Sequence, residues 1–364
     1  MATGFAPYQL NDLVNVVGYA PNHKINLNGF VAMCYKNKPI STVLPDGGSR
    51  EVRISHRQRA TSVMVDTSSS TFCTDVNIPA KKETTITIDK YVALPWLIKD
   101  SLVAQYQAEA YARQNTPGAP SVGATAELVD IIYSGANALV SKMNTDLLGL
   151  ITWGKNVRAA AYSATVNIND DTNINLLTEG EAAILSDYQL SHLQGRPQIV
   201  GAGLFHAYAV QQAFKGMNQA GINSAIAAAG WDFFPDAQFN TTVGSNVIGV
   251  FEPESVRVVE ALEYQGFAGG VKPNGTVFGI LPLTYTDPMG NSAVIPFDFM
   301  LRYTDCAPAT FTDAYSGDSV AASKGWQLVM KKSYTLWQLP SDLYTNPDPS
   351  HFVNGALKFT ITNS

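Results

Sequence analysis

ATAELVDIIYSGANALVSKMNTDLLGLI, residues 124–151, is the stretch from which the rest of the chain is read. Leu128, Ile132, Ala136, Leu139, Met143, Leu147 and Leu150 recur every three or four positions and predict one apolar stripe on an amphipathic helix. Asp130, Ser134, Asn137, Ser141 and Thr145 step the same way on the opposite face. At 1.5 Å per residue such a helix is roughly 40 Å long. Most globular helices have three or four turns, so this one is long and is the strongest secondary-structure feature of the chain.

Working towards the N-terminus, Leu94, Ile98, Leu102, Tyr106 and Ala110 recur every four residues, with Lys99 and Asp100 on the other side. They predict a second helix, ended by Asn115-Thr116-Pro117-Gly118. Before it, Val52 and Ile54 alternate with Arg53 and Ser55, the period of a half-buried strand. Asp46-Gly47-Gly48 marks a turn ahead of that strand, Val63-Met64-Val65 reads as extended, and Asp66 to Ser70 reads as a loop. In the return strand, Thr84 to Tyr91, Ile86 and Ile88 alternate with threonines. Hairpin loops ordinarily have two to five residues, whereas here a long stretch with strand character at both ends predicts an extended two-stranded arm projecting from the body. The first segment, Met1 to about Asp46, carries Pro7, Pro21, Pro39 and Pro45 with many asparagines. Apart from a short helix around Leu10 to Val17, it reads as irregular, and it is expected to lie along another part of the protein or along another chain.

Towards the C-terminus the pattern becomes mixed. Helices are predicted at Glu179 to Leu193 and Leu204 to Gly216, and strands at Pro197 to Val200, Asn246 to Phe251, Ser255 to Glu260, Thr276 to Leu283, Ala293 to Tyr303, Trp326 to Leu339 and Ala356 to Ile361. Turns at Lys272-Pro273-Asn274-Gly275 and Asp287-Pro288-Met289-Gly290 separate some of them. No fixed-period repeat is evident.

Composition narrows the function. The chain has 364 residues, of which 46% are hydrophobic and 15% charged. That balance excludes a disordered chain, and a soluble globular protein usually has about 25% charged residues. The surface is therefore rich in Asn, Gln, Ser and Thr, covered by partners, or both. The formal net charge of −6 lacks the basic excess of a dedicated nucleic-acid binder. Cys34, Cys73 and Cys306 are too sparse for a disulfide framework or a CxxC site. No apolar run reaches the roughly 20 residues of a membrane span, and Met1 to Asn11 has no secretory pattern.

The sequence contains little that points to catalysis. Gln198-Ile199-Val200-Gly201-Ala202-Gly203-Leu204-Phe205-His206 runs from a strand through a GxG turn into a helix and resembles half of a dinucleotide fingerprint. His206 stands at the third glycine position and no series of βαβ units surrounds it, so a tight strand-to-helix connection is the competing reading. His23, His56, His192, His206 and His351 form no HxH, HExxH or His–Cys cluster. Asp170-Asp171, Glu179/Glu181 and Glu252/Glu254 could serve acid–base or Mg²⁺ chemistry, but they read more simply as a loop and as a helix first turn that favours carboxylates. No catalytic, metal or cofactor-binding residue is assigned. The charge cluster Arg50, Arg53, Arg57 and Arg59, with His56 among them, lies on the projecting arm and reads either as a solvated strand face or as an inter-subunit contact through planar guanidinium forks.

The order of elements resembles a known family. Thr84-Thr85-Ile86-Thr87-Ile88-Asp89-Lys90 leads to Ile98-Lys99-Asp100-Ser101, then to Glu127-Leu128-Val129-Asp130-Ile131-Ile132 in the long helix, then to Arg196-Pro197-Gln198-Ile199-Val200 before a helix, and β-structure closes the chain. This resembles the major capsid proteins of tailed bacteriophages, with the α+β Hong Kong 97 fold. The resemblance implies an N-terminal arm at 1–45, an E-loop at 46–92, a P-domain with spine helix at 93–175, an A-domain at 176–307 and return strands of the P-domain at 308–364. It also implies a structural subunit without enzymatic activity or cofactor, assembling as hexamers and pentamers into an icosahedral shell around double-stranded DNA. Portal, scaffold and decoration proteins would be partners and a membrane would not. The chain would be assembled in the host cytoplasm and found in the virion. Met1 opens almost directly into the arm, so a fused scaffold is expected to be absent. Encapsulin nanocompartments share the fold and remain an alternative, as does, further off, an α/β nucleotide-binding enzyme using Gly201 to Gly203.

Overall fold

A computed structural model describes residues 7–18, 20, 23–43, 50–57, 81–116, 123–156, 163–167, 180–191, 193–207, 231–262, 270–271, 277–286, 292–304, 310–312, 319–321, 325–340 and 354–362. The chain opens with α1 (Pro7–Gly18), β1 (Ile25–Asn26), α2 (Gly29–Lys36), β2 (Ile40–Val43), β3 (Glu51–Arg57), β4 (Lys81–Thr87) and β5 (Lys90–Ile98). Helices α3 (Asp100–Asn115) and α4 (Ala124–Leu148) follow, then β6 (Ala164–Asn167), α5 (Gly180–Leu190), β7 (Gln198–Gly201), β8 (Asp232–Pro235) and the short α6 (Ala237–Thr242). The rest is β-structure: β9 (Val247–Phe251), β10 (Val256–Leu262), β11 (Gly270–Val271), β12 (Val277–Thr286), β13 (Ser292–Thr304), β14 (Thr310–Thr312), β15 (Ser319–Ala321), β16 (Gly325–Gln338) and β17 (Ala356–Thr362).

Two sheets organise the body. In the eight-stranded sheet, β16 is central: β5 pairs along one edge, and β13 and then β10 along the other. Alternation along β16 puts Trp326, Leu328, Met330 and Tyr334 into the main core with Leu128, Ile132, Leu139 and Met143 of α4. The second sheet has the order β6-β17-β9-β7-β8. Val200, Phe234 and Phe251 on one of its faces join that main core, while Ile199, Phe233, Val250 and Phe359 on the other pack with Ala183, Ile184 and Tyr188 of α5. Each sheet draws on distant parts of the chain. Strands β12 and β13, expected in the A-domain stretch 176–307, share a sheet with β16, and β17, expected among the P-domain return strands, pairs with β6 and β9.

The spine helix forms as read, but it is more enclosed than an amphipathic stripe requires. Its exposed residues follow one narrow row, Ala126, Asp130, Ser134, Ala138 and Lys142. On the face expected to be polar, Asn137 accepts a hydrogen bond from the Asn26 amide at 3.1 Å and Ser141 accepts from the Gln238 side chain at 2.6 Å. Strand β1 and helix α6 close over that side. The Glu109 carboxylate accepts from the Ala124 and Thr125 amides at 3.0 Å each, supplying an anionic cap to the helix N-terminus.

Two expectations need correction. Leu94 and Ile98 belong to β5 and the following helix begins at Asp100. Val92, Leu94, Trp96 and Ile98 also have a strand's two-residue period, and Pro95 disfavours the helical conformation at Leu94. Because β5 is an edge strand, Pro95 can sit opposite Val329 without an interior ladder being broken. The N-terminal segment is less irregular than expected, holding α1, β1, α2 and β2 over its described residues. Leu13, Val17, Phe30, Val31, Met33 and Cys34 are at most 1% exposed, and all lie in the main core. Of the two places expected for this segment, another part of the same protein is where 7–43 lies.

Candidate functional site

The arm is a two-stranded ribbon. Strands β3 and β4 pair antiparallel from Glu51 opposite Thr87 to Arg57 opposite Lys81, and among the described residues they pair with no other strand. Glu51, Arg53, Ser55, Lys81, Glu83, Thr85 and Thr87 are exposed on the outer face, while Val52, Ile54, His56, Lys82, Thr84 and Ile86 on the inner face are half-buried. No described side chain in either strand is buried, in contrast to β7, β9 and β10 of the body.

At its foot the ribbon has a defined seat. Ile88 is fully buried against Val259, Ala261 and Trp337, and Val52, Ile54 and Ile86 pack on the same cluster. The Ile88 amide donates to the Arg50 carbonyl at 2.8 Å, closing the ladder. This seat explains why β10 is buried on both faces. Val256 and Val258 face the main core, and Val259 and Ala261 face the hairpin. The hairpin therefore rises from the sheet face opposite α4.

Arg50 and Arg53 are exposed on this arm, Arg57 closes the described ladder, and Arg59 lies outside the described residues. Arg53 shares the outer face with Glu51 and Glu83, so that face carries both signs of charge. The seat residues Val259, Ala261 and Trp337 were not singled out from sequence. Their signal was present: β10 is apolar at both parities, which a strand with one face in water would not be.

Beneath the seat, on the core face of the same strands, lies an ion pair that sequence reading missed. Lys332 Nζ is 2.5 Å from the Glu260 carboxylate, and each side chain is 1% exposed. Tyr35 donates to the same carboxylate at 2.8 Å, Ser41 donates to it at 2.6 Å, and Lys332 also donates to the Pro296 carbonyl at 2.7 Å. Burial pushes the Glu260 pKa up, but the Lys332 charge and the hydrogen bonds from Lys332, Ser41 and Tyr35 outweigh it and hold the carboxyl below its ordinary value. Burial and the neighbouring Glu260 push the Tyr35 hydroxyl well up. The signal was again parity: Lys332 follows Leu328 and Met330 on the core face of β16, and Glu260 follows Val256 and Val258 on that of β10. The cluster fastens α2 and β2 to the sheet.

The described members of the catalytic alternatives have packing or pairing partners. A Cβ at Gly201 would stand 2.7 Å from Ile248 Cγ2, and Gly203 has φ +66° with Asn246 and Asn240 about its α-carbon. The two glycines thus serve close strand packing and a left-handed turn. His23 pairs with Asp130, and exposed His206 stacks on Phe233 at 5.8 Å. Glu252 accepts from the Gln194 amide at 3.1 Å, and Glu254 pairs with Arg257. His192, His351, Glu179, Asp170 and Asp171 lie outside the described residues. Among the described residues no three His, Cys, Asp or Glu side chains gather as a metal site.

No protein-family model matches the chain, and no curated protein matches it. Solved structures do. The cyanophage A-1(L) capsid asymmetric unit is similar over 94% of this chain and 95% of its own, with a TM-score of 0.50 and 10% identity. A structure from Mycobacterium phage Adephagia covers 100% of this chain and 96% of its own, with a TM-score of 0.46 and 10% identity. A virus-like particle from Pyrococcus furiosus covers 96% and 98%, with a TM-score of 0.36 and 8% identity. The first likeness sets the fold: the chain has the α+β fold of a phage capsid subunit, the one implied by the resemblance in its sequence.

Proposed function

We propose that this chain is a major capsid protein, the self-assembling subunit of an icosahedral tailed-phage head enclosing double-stranded DNA. The observation that carries the proposal is the β3–β4 ribbon, which is built into a chain with the fold of a capsid subunit and leaves both its strands unburied. An isolated two-stranded hairpin is marginal in water, and a neighbouring copy of the same chain is the partner that would cover it in a closed shell. On this reading residues 46–92 act as the E-loop and α4 as the spine helix. Arg50, Arg53, Arg57 and Arg59 contribute contacts between subunits. Hexamers and pentamers are the building units, with portal, scaffold and decoration proteins as further partners. DNA is held without sequence specificity, assembly takes place in the host cytoplasm, and no cofactor or catalytic step is involved. The two glycines of the nucleotide-enzyme reading have a structural use here, since Gly201 packs against Ile248 within the sheet and Gly203 takes a left-handed turn.

Sedimentation and electron microscopy of the purified chain test the proposal. Hollow, large, closed particles are the expected result. A species that stays monomeric under every condition, with scaffold included, would contradict it. Particles that co-purify with an enzyme instead of DNA would mark a nanocompartment shell rather than a virion.

A further inference from the structure

The outer face of the ribbon carries its charges in an ordered series. Cross-strand pairs on this face form four rows from the foot outward: Glu51 with Thr87, Arg53 with Thr85, Ser55 with Glu83, and Arg57 with Lys81. Glu51, Arg53, Glu83 and Lys81 are exposed, so the rows read negative, positive, negative, positive. Of the seven exposed side chains on this face four are charged, in a chain with 15% charged residues, so charge is concentrated here. Same-face rows are roughly 7 Å apart. Read backwards, such a series is its own complement. A second ribbon laid face to face and antiparallel sets the Glu51 row against the Lys81 row and the Arg53 row against the Glu83 row, in both copies at once. Laid parallel and in register, every row meets its own sign. Strands stacked face to face stand about 10 Å apart, a gap that Arg, Glu and Lys side chains span from both sides, and the guanidinium fork suits a carboxylate.

We propose that the outer face of β3–β4 is a self-complementary contact surface for a second copy of this chain, the two ribbons lying antiparallel about a two-fold axis. The contact is isologous, so each copy gives and receives the same pairs. Its ground is the ribbon alone, and it goes beyond the shell reading without depending on it. Each surface ion pair contributes little, and a ribbon face of seven cross-strand pairs is small beside the roughly 800 Å² per partner of a standard stable complex. The contact is therefore weak by itself and sensitive to salt. What the charge series supplies is direction: like signs oppose the parallel arrangement, and opposite signs hold the antiparallel one.

Sedimentation velocity of the full-length chain, below the concentration at which particles form, tests this. Dimers are expected at about 0.01 M ionic strength and are lost at about 1 M, as the screening length falls from about 30 to about 3 Å. Arg53→Glu and Glu83→Arg each set like charges face to face and weaken dimerisation about tenfold or more. Mixing the two variants restores it, because the reversed rows match across copies. The double variant Arg53→Glu/Glu83→Arg dimerises within about threefold of the unsubstituted chain, since the paired reversals compensate. Its series, negative, negative, positive, positive, is again complementary in full when antiparallel. A parallel ribbon displaced by one row matches the original series over three rows and the double variant over one, so a double variant that stays dissociated would overturn the proposal. So would single reversals that leave dimerisation unchanged, or a chain without dimers at low salt. Closed particles from a chain whose association ignores these substitutions would overturn this contact and leave the shell reading standing. Charge-dependent dimers from a chain that never closes into particles would do the reverse.

Discussion

Residues 7–43 and 50–88 make an instructive pair. Both stretches are polar and both precede the long helix; the second reads from sequence as a projecting arm, and the first as a segment lying along another part of the protein or along another chain. The first is built into the centre. Phe30, Val31 and Met33 of α2 are 0% exposed, and α2 is tied down at both ends. At its start, Phe30 N–H and the Asn144 side chain donate to the buried Asp236 carboxylate at 2.9 and 3.0 Å. At its end, Tyr35 and the following Ser41 donate to Glu260, which pairs with Lys332. Among the described residues the second stretch meets the body through its foot and the apolar inner face above it. The comparison teaches that polarity does not decide which segment reaches out. What decides it is whether a segment contains one short element apolar on all sides, as GFVAMCYK at 29–36 is.

Substitutions can break this contrast, and the largest effect belongs to the buried pair. Lys332→Ala strands Glu260 in the core and costs about 3–5 kcal/mol of unfolding free energy by denaturant titration. A cost near zero would mean that the pair is solvated. The double substitution Glu260→Leu with Lys332→Met costs far less, because neither charge remains to be buried. Phe30→Ala costs about 3–4 kcal/mol, whereas Ile54→Ala, in the ribbon, costs about 1 kcal/mol or less. Equal costs would erase the distinction between the two stretches.

A smaller effect is expected from Asn144→Ala, which takes one donor from the buried Asp236 and costs about 2 kcal/mol. The pH dependence follows from Glu260. Its folded pKa lies below the ordinary 4.5, so its contribution is fully present above about pH 4.5 and is lost as pH falls through the lowered folded value. Thermal unfolding between pH 6 and 3 should show this acid limb, and the Glu260→Leu/Lys332→Met protein should show less of it. The smallest effect is predicted for Arg53→Ala, within about 0.5 kcal/mol for the isolated chain. If Arg53 contacts a neighbouring copy, that substitution lowers the yield of closed particles without changing the stability of the chain.

Much of the fold was legible because the long elements carry strong periods. The stripe from Leu128 to Leu150, stepping by three or four, predicted α4, and the closing strand expected at Trp326 to Leu339 is β16 (Gly325–Gln338). Local pattern failed where two periods coincide, as at Leu94 and Ile98, which suit a helix and a strand equally until Pro95 is weighed. It failed for α2, whose eight residues are too few to show a period. It also misjudged Asn137 and Ser141, since a polar side chain on a helix looks the same in sequence whether it meets water or a buried partner. The arm was legible from the length between its two alternating strands. The seat was not, because its residues come from 88, 259, 261 and 337 and meet only in the folded sheet.

The most direct measurement is a cryo-electron microscopy map of the assembled particle, with the chain traced in each copy. The account predicts a closed shell in which β3–β4 lies beneath a neighbouring copy while α1 and α2 stay packed in their own. A particle in which the ribbon stays bare to solvent, or in which α2 is exchanged between copies, would contradict it.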